Sequence, residues 1–170
     1  MKRPWIVVLL AALTVAGMIG VPALAVAAET FQATMAGVQE APVCSSTGSG
    51  TFRATVSDDA TSVAYELTYE LEGTVTQSHI HLGQVRVSGG ISVWLCQTAG
   101  NVDPTGLAPA CPASGMVTGT FTSANVIGPT TQGIATGEFA ELLQAMRRGL
   151  TYANVHSNIC PGGEVRGQLR

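Results

Sequence analysis

The stretch that most constrains the fold is a run of strict alternation over residues 62–71. Apolar side chains occupy every second position, and polar or small side chains stand between them. The apolar set is Val63, Tyr65, Leu67, Tyr69 and Leu71. Successive side chains of a β-strand point to opposite faces of the sheet. The run therefore predicts a strand with one packed face and one wet face, as in an antiparallel sheet.

Seven further segments have strand character and are separated by turns rich in Gly, Pro and Ser. They cover residues 30–35, 51–56, 77–82, 91–96, 115–122, 150–156 and 163–169. About eight short strands at this spacing predict an all-β, antiparallel sandwich or barrel. The sequence shows neither an internal repeat nor a second domain.

One short helix is predicted near residues 138–148. Its apolar residues recur at helical spacing and form one stripe, made of Phe139, Leu142, Leu143 and Met146. Acidic residues occupy the first turn and Arg147 and Arg148 the last, which suits the helix dipole. Gly149 is a typical C-terminal stop.

The first residues have the pattern of a secretory signal. A short basic start precedes an apolar run from Trp5 to Ala25, and Ala25-Val26-Ala27 matches a small-x-small cleavage site. We expect a signal peptide at 1–27 and a single domain at 28–170, located outside the cell or at its surface. The alternative is an uncleaved anchor, since the apolar run is long enough to span a bilayer.

The charge of the expected mature chain argues against some partners. Beyond residue 27 the chain has six arginines and eleven acidic residues, which gives 6 − 11 = −5. It has no basic stripe, so neither a nucleic acid nor an anionic membrane surface is an expected partner.

Four cysteines behind an export signal predict two disulfides. Cys96 and Cys111 flank a Pro- and Gly-rich loop between two strand-like runs, so we expect them to pair. Cys44–Cys160 then follows by elimination and ties the start of the domain to its closing hairpin. A zinc site built from cysteines is disfavoured because no C-x-x-C pair is present.

The chain has only three histidines, in two short blocks. His79 and His81 are two apart on a predicted strand and share a face. If the closing strands lie beside them, one polar patch contains His79, His81, Asn154, His156, Glu164, Arg166 and Gln168. Two interpretations stay open. The patch is a structural hydrogen-bonded cluster, in which Arg166 pairs with Glu164 or binds a backbone carbonyl, or His79, His81 and His156 bind copper or zinc. The positive charge of Arg166 argues against the metal.

Motifs for hydrolytic chemistry are absent from the sequence. It has no G-x-S-x-G, no phosphate-binding glycine loop and no recognisable pair of catalytic carboxylates. We therefore expect no catalytic residues.

Several blocks, taken in order, resemble the CHRD domain, the module described in chordin and found singly in exported bacterial proteins. They are Ser78-His79-Ile80-His81-Leu82-Gly83, Val93-Trp94-Leu95, residues 115–120, residues 152–156 and residues 161–168. The match runs from about Thr30 to the end of the chain. The resemblance implies an immunoglobulin-like or related Greek-key sandwich and an extracellular location, but no enzyme activity.

The resulting functional expectation is a secreted, disulfide-stabilised interaction module without catalysis, whose partner is an extracellular protein or surface ligand. The alternative is an exported copper- or zinc-binding protein that uses the three histidines. A metal-dependent oxidoreductase is a third, more distant reading. It is prompted by a weaker likeness to copper–zinc superoxide dismutase, whose dinuclear site needs more histidines than this chain has.

Overall fold

The computed structural model describes residues 27–170, and the predicted signal peptide lies outside the described residues up to its last position. The described part contains eight β-strands and one α-helix. The strands are β1 Thr30–Ala36, β2 Ser49–Val56, β3 Ser62–Glu70, β4 Val75–Leu82, β5 Gly90–Cys96, β6 Gly115–Thr122, β7 Thr151–Ser157 and β8 Val165–Gln168; the helix α1 is Phe139–Arg147. The all-β class, the strand number and the helix are confirmed.

All eight strands belong to one hydrogen-bonded antiparallel sheet, in the order β5-β4-β7-β8-β1-β2-β3-β6. The sheet curls into a nearly closed, barrel-like form. Tyr65 on β3 spans its interior, and its hydroxyl donates to the Leu95 carbonyl of the edge strand β5 at 2.6 Å.

The expected sandwich of two sheets is therefore corrected to a single curved sheet. Alternation shows that each strand has one packed face. It does not show whether those faces line one closed sheet or two facing ones, because both arrangements bury every second residue.

The core lies inside the curve of this sheet. The alternating residues of β3 face inward with those of β2, where Phe52 is stacked on Tyr65 at 6.1 Å between ring centroids. The helix buries the predicted stripe against the same core, and Phe139 lies 6.1 Å from Phe121. The apolar face of the helix thus adds to the core that the curved sheet encloses.

Both predicted disulfides are confirmed. Cys44–Cys160 joins residues 116 apart in the sequence, and Cys96–Cys111 joins residues 15 apart. Two such bridges are typical of an oxidising compartment. Among the residues described, no helix has the length and apolar character needed to cross a membrane.

Candidate metal site on the outer face of the β4 and β7 strands

The register of β4 and β7 places the two histidine blocks side by side. His79 lies opposite Asn154, His81 opposite Tyr152, and Gln77 opposite His156. Ile80 and its neighbours on β7 point into the core. Because side chains alternate along a strand, the histidines share the outer face of the sheet.

This outer face is nevertheless closed to solvent. His79 is 0% exposed, and His81 and His156 are each 6% exposed. Three loop segments, here called the cover, lie over the face: residues 37–47, 83–89 and 160–163. The Gly89 carbonyl in the cover bonds to His81 Nδ1 at 2.9 Å, and the Pro161 carbonyl to His156 Nδ1 at 2.8 Å.

The three imidazoles converge on one point. His79 Nδ1 lies 3.2 Å from His156 Nε2. One ring nitrogen from each histidine can be chosen so that all three atoms lie within 4.8 Å of one another. Nε2 of His79 and Nε2 of His81 are buried and have no hydrogen-bond partner. Three convergent imidazole nitrogens form a ligand set suited to zinc or copper.

All three histidines are held in the neutral form that binds metals. Burial, together with the nearby rings of His156 and His81, lowers the pKa of His79 to about 2. Burial also lowers the pKa of His81, to about 4, although its hydrogen bond to the Gly89 carbonyl acts in the opposite direction. The pKa of His156 is lowered by burial as well. A metal would therefore compete with few protons for these nitrogens near neutral pH.

Aromatic rings fix the orientation of the imidazoles. His79 makes an edge contact with Trp94, with ring centroids 4.3 Å apart. His81 is stacked on Tyr152 at 4.8 Å and an interplanar angle of 1°. Rings packed in this way lose little further freedom when they bind a ligand, so the site is preorganised.

Arg166, predicted to join the patch, contacts Tyr152 and the cover rather than a carboxylate. Its guanidinium carbon lies 3.4 Å from the centre of the Tyr152 ring. Its nitrogens donate to the carbonyl oxygens of Val87, at 3.1 Å, and Gln84, at 2.8 Å. Its charge is close enough to contribute to the lowered pKa of His81. Arg166 thus anchors the cover and also opposes a cation at the site.

Glu164 and Gln168, also predicted for the patch, bind other groups. The Glu164 carboxylate accepts hydrogen bonds from Ser46 Oγ at 2.7 Å and from the backbone N–H of Glu72 at 2.7 Å. The Gln168 amide donates to the carbonyls of Gly83 and Gly149. The suggested Glu164–Arg166 pair does not form, because β8 begins only at Val165 and Glu164 turns toward the loop before β2.

Glu40 is a further charged residue beside the site that the sequence did not single out. It is 5% exposed, and its Oε1 has no hydrogen-bond partner. Burial raises its pKa to about 7, although the charge of Arg166 and a hydrogen bond from Asn154 act in the opposite direction. Glu40 lies in a turn-rich segment with no strand pattern. No sequence pattern therefore pointed to its place beside the site.

Comparison with known proteins identifies one family. The model of the CHRD domain matches residues 31–169. No curated protein and no solved structure matches the chain.

Proposed function

Since this chain belongs to the CHRD domain family, whose module takes up residues 31–169, we propose that it is an exported CHRD protein that binds one copper or zinc ion. The ligands are His79, His81 and His156. The observation that carries the proposal is the convergence of three buried, neutral imidazoles on one point, with two ring nitrogens left without a partner.

The cost of leaving these polar atoms unpaired supports a ligand. A buried polar group without a partner costs roughly 1–3 kcal/mol. A purely structural cluster would be expected to pair its atoms, since most buried polar groups in native proteins are hydrogen-bonded. A metal ion would use the free Nε2 of His81, whose Nδ1 is already bonded to the Gly89 carbonyl, and would recover that part of the cost.

The electrostatic balance of the site is compatible with a cation. Arg166 disfavours positive charge near His81, as the sequence suggested. Glu40 lies on the same side of the sheet and interacts with Arg166 through its charge. A bound cation would favour the ionised form of Glu40, and the carboxylate would then offset both positive charges.

The test is a calorimetric titration of protein purified from expression of the full chain, with zinc and with copper. We expect one equivalent to bind with micromolar or tighter affinity at pH 7, and His79→Ala, His81→Ala and His156→Ala each to weaken binding at least 100-fold. Gln77→Ala, a change on the same strand outside the three ligands, is the matched control. Absence of uptake of either metal by the folded wild type would refute the proposal.

A second candidate function is the non-catalytic binding of an extracellular macromolecule. It is supported by an apolar rim on the cover, formed by the exposed side chains of Val38, Val43, Val85 and Val87. Val38 and Val85 also line one groove together with Arg86 and Arg166. Both candidates describe a binding protein. Turnover of a defined redox substrate by the copper-loaded protein, lost in His81→Ala, would instead favour the metal-dependent oxidoreductase.

A further inference from the structure

The side chain of Asn154 faces the same point as the three imidazoles. Its Oδ1 lies 3.1 Å from His156 Nε2, the nitrogen that His79 Nδ1 approaches at 3.2 Å. Asn154 is 1% exposed and lies directly opposite His79 in the sheet. It also lies within reach of His81. The side chain of Asn154 therefore lies beside the histidines of the proposed metal site.

The proton positions on His156 follow from its other contact. The Pro161 carbonyl lies 2.8 Å from His156 Nδ1, and a carbonyl oxygen can only accept. Nδ1 therefore carries the proton. In the neutral imidazole only one ring nitrogen is protonated, so Nε2 holds a bare lone pair. The bond between His81 Nδ1 and Gly89 leaves His81 Nε2 in the same state.

The contact between Asn154 Oδ1 and His156 Nε2 thus brings two acceptors together. The N–H of His79 Nδ1 can satisfy the lone pair of His156 but not the amide oxygen. Turning the amide over would move Nδ2 away from Glu40. Asn154 Nδ2 and Glu40 Oε1 are both neighbours of Gly163: a Cβ built on that glycine would overlap Oε1 and lie 2.9 Å from Nδ2. Nδ2 is therefore on the side of the amide that faces Glu40. Two hydrogen-bond acceptors that face each other in a buried site are unfavourable unless a positively charged group lies between them.

Resting on the metal site proposed above, we propose that Asn154 Oδ1 is a fourth ligand of the same ion. The ion then has three imidazole nitrogens and one amide oxygen, all from uncharged side chains. Four protein ligands are typical of closed zinc sites, whereas catalytic zinc sites keep a position open for water or substrate. The fourth ligand therefore assigns the site to metal binding or structural support rather than to catalysis at the ion.

Two substitutions at Asn154 with opposite expected effects test this proposal. Asn154→Ala removes the oxygen and should weaken zinc binding by roughly 10- to 100-fold, at least the loss seen for groups that only support ligands. Asn154→Asp keeps an oxygen at the same place and adds charge, so it should bind zinc as tightly as the wild type or more tightly. Asn158→Ala, an exposed asparagine whose Oδ1 accepts from the Thr74 N–H, is the control and should bind like the wild type.

The outcomes separate this proposal from the metal site itself. If the folded wild type binds no zinc and no copper, the metal site fails. If the wild type binds zinc and Asn154→Ala binds equally well, or Asn154→Asp is weakened as much as Asn154→Ala, the site stands and the fourth ligand is refuted. Thermal melting of each variant without metal checks that it folds. In the zinc-loaded wild type, Oδ1 should lie about 2.0–2.2 Å from the ion. A separation above about 3 Å would overturn the proposal whatever the variants do.

Discussion

Strands β3 and β7 have similar alternating sequence patterns, but the outer face of β3 is exposed to solvent and the outer face of β7 is buried. In β3 the apolar side chains of Val63 and Leu67 are buried, and Glu66 between them is exposed. In β7 every residue is buried, including Asn154 and His156 on the face away from the core. Side-chain polarity alternates along both strands, but only β3 has the solvent-exposed outer face that this alternation predicts.

The difference between the two strands lies in what covers them. The outer face of β4 and β7 is covered by three loop segments, two of which supply backbone carbonyls to His81 and His156, whereas the polar side chains of β3 meet solvent. Burying polar side chains costs free energy unless they are paired. The covered face that β7 shares with β4 is buried and leaves ring nitrogens of β4 without a partner, which indicates a site with a binding role. The predictions below test whether the covered face differs from the open one in stability, in metal binding and in its response to pH.

The largest expected effect comes from the disulfide that holds the cover. The Cys44–Cys160 bridge links two of the cover segments and closes a loop of 116 residues. Replacing both cysteines by alanine should lower the free energy of unfolding by about 4–5 kcal/mol, the value of the chain-entropy model. It should also weaken zinc binding, since the cover orients His81 and His156. Denaturant unfolding and calorimetry measure the two effects.

The matched control is the second bridge, Cys96–Cys111, which closes only 15 residues. Its removal should cost about 3 kcal/mol and leave zinc affinity unchanged. Equal losses of zinc affinity in the two variants would show that the cover has no special role at the histidines.

A matched pair of glutamates sharpens the comparison of the two faces. Glu40 under the cover has a pKa raised by burial from 4.5 to about 7, so its ionisation disfavours the folded state as pH rises through 7. Glu40→Gln should therefore raise the free energy of unfolding at pH 8, relative to its effect at pH 4.5, by roughly 2–3 kcal/mol. Glu66→Gln on the open face of β3 should change it by less than about 0.5 kcal/mol at both pH values. Urea unfolding at the two pH values measures this difference, and a pH-independent effect of Glu40→Gln would contradict it.

Acid should destabilise the metal-free protein through the histidines of the covered face. Burial lowers the pKa of His79 to about 2 and of His81 to about 4, below the usual 6.5. Below pH 6.5 these histidines are protonated in the unfolded chain but stay neutral in the folded protein. Each of them therefore lowers the free energy of unfolding by about 1.4 kcal/mol for every pH unit below 6.5. Glu40 acts in the opposite direction between pH 7 and 4.5 and offsets about one histidine. The net loss from pH 7 to pH 5 should be about 2 kcal/mol.

Unfolding of the metal-free protein across this pH range checks the prediction. His79→Leu should have a shallower dependence on pH, because one of the proton-binding groups is gone. A free energy of unfolding that is flat or rises toward pH 5 would show that the histidines are not held neutral.

Much of the fold could be predicted from the sequence because strand and helix patterns are local. The alternation of β3 and the apolar stripe of α1 each report one buried face, and the structure has both. Closure into one sheet could not be predicted, since it depends on how the edge strands β5 and β6 approach each other across the interior. No single segment carries that information.

The site was predictable to the extent that it lies on strands. The alternation of His79 and His81 placed both on one face, and their proximity to His156 is confirmed. The burial of that face was not predictable, because it results from loops without a repeating pattern. The position of Glu40 beside the site belongs to those loops in the same way. Of the two partners expected for Arg166, the Glu164 carboxylate is wrong and a backbone carbonyl is confirmed, and its contact with the Tyr152 ring was not predicted.

The measurement that tests the central claim most directly is an anomalous diffraction experiment on crystals of the protein loaded with zinc. We predict one strong peak on the covered face, about 2.0–2.1 Å from a ring nitrogen of each of His79, His81 and His156. The same experiment on His81→Ala crystals should show the peak reduced or lost. Zinc bound only elsewhere on the protein, with the three imidazoles unchanged, would contradict the account.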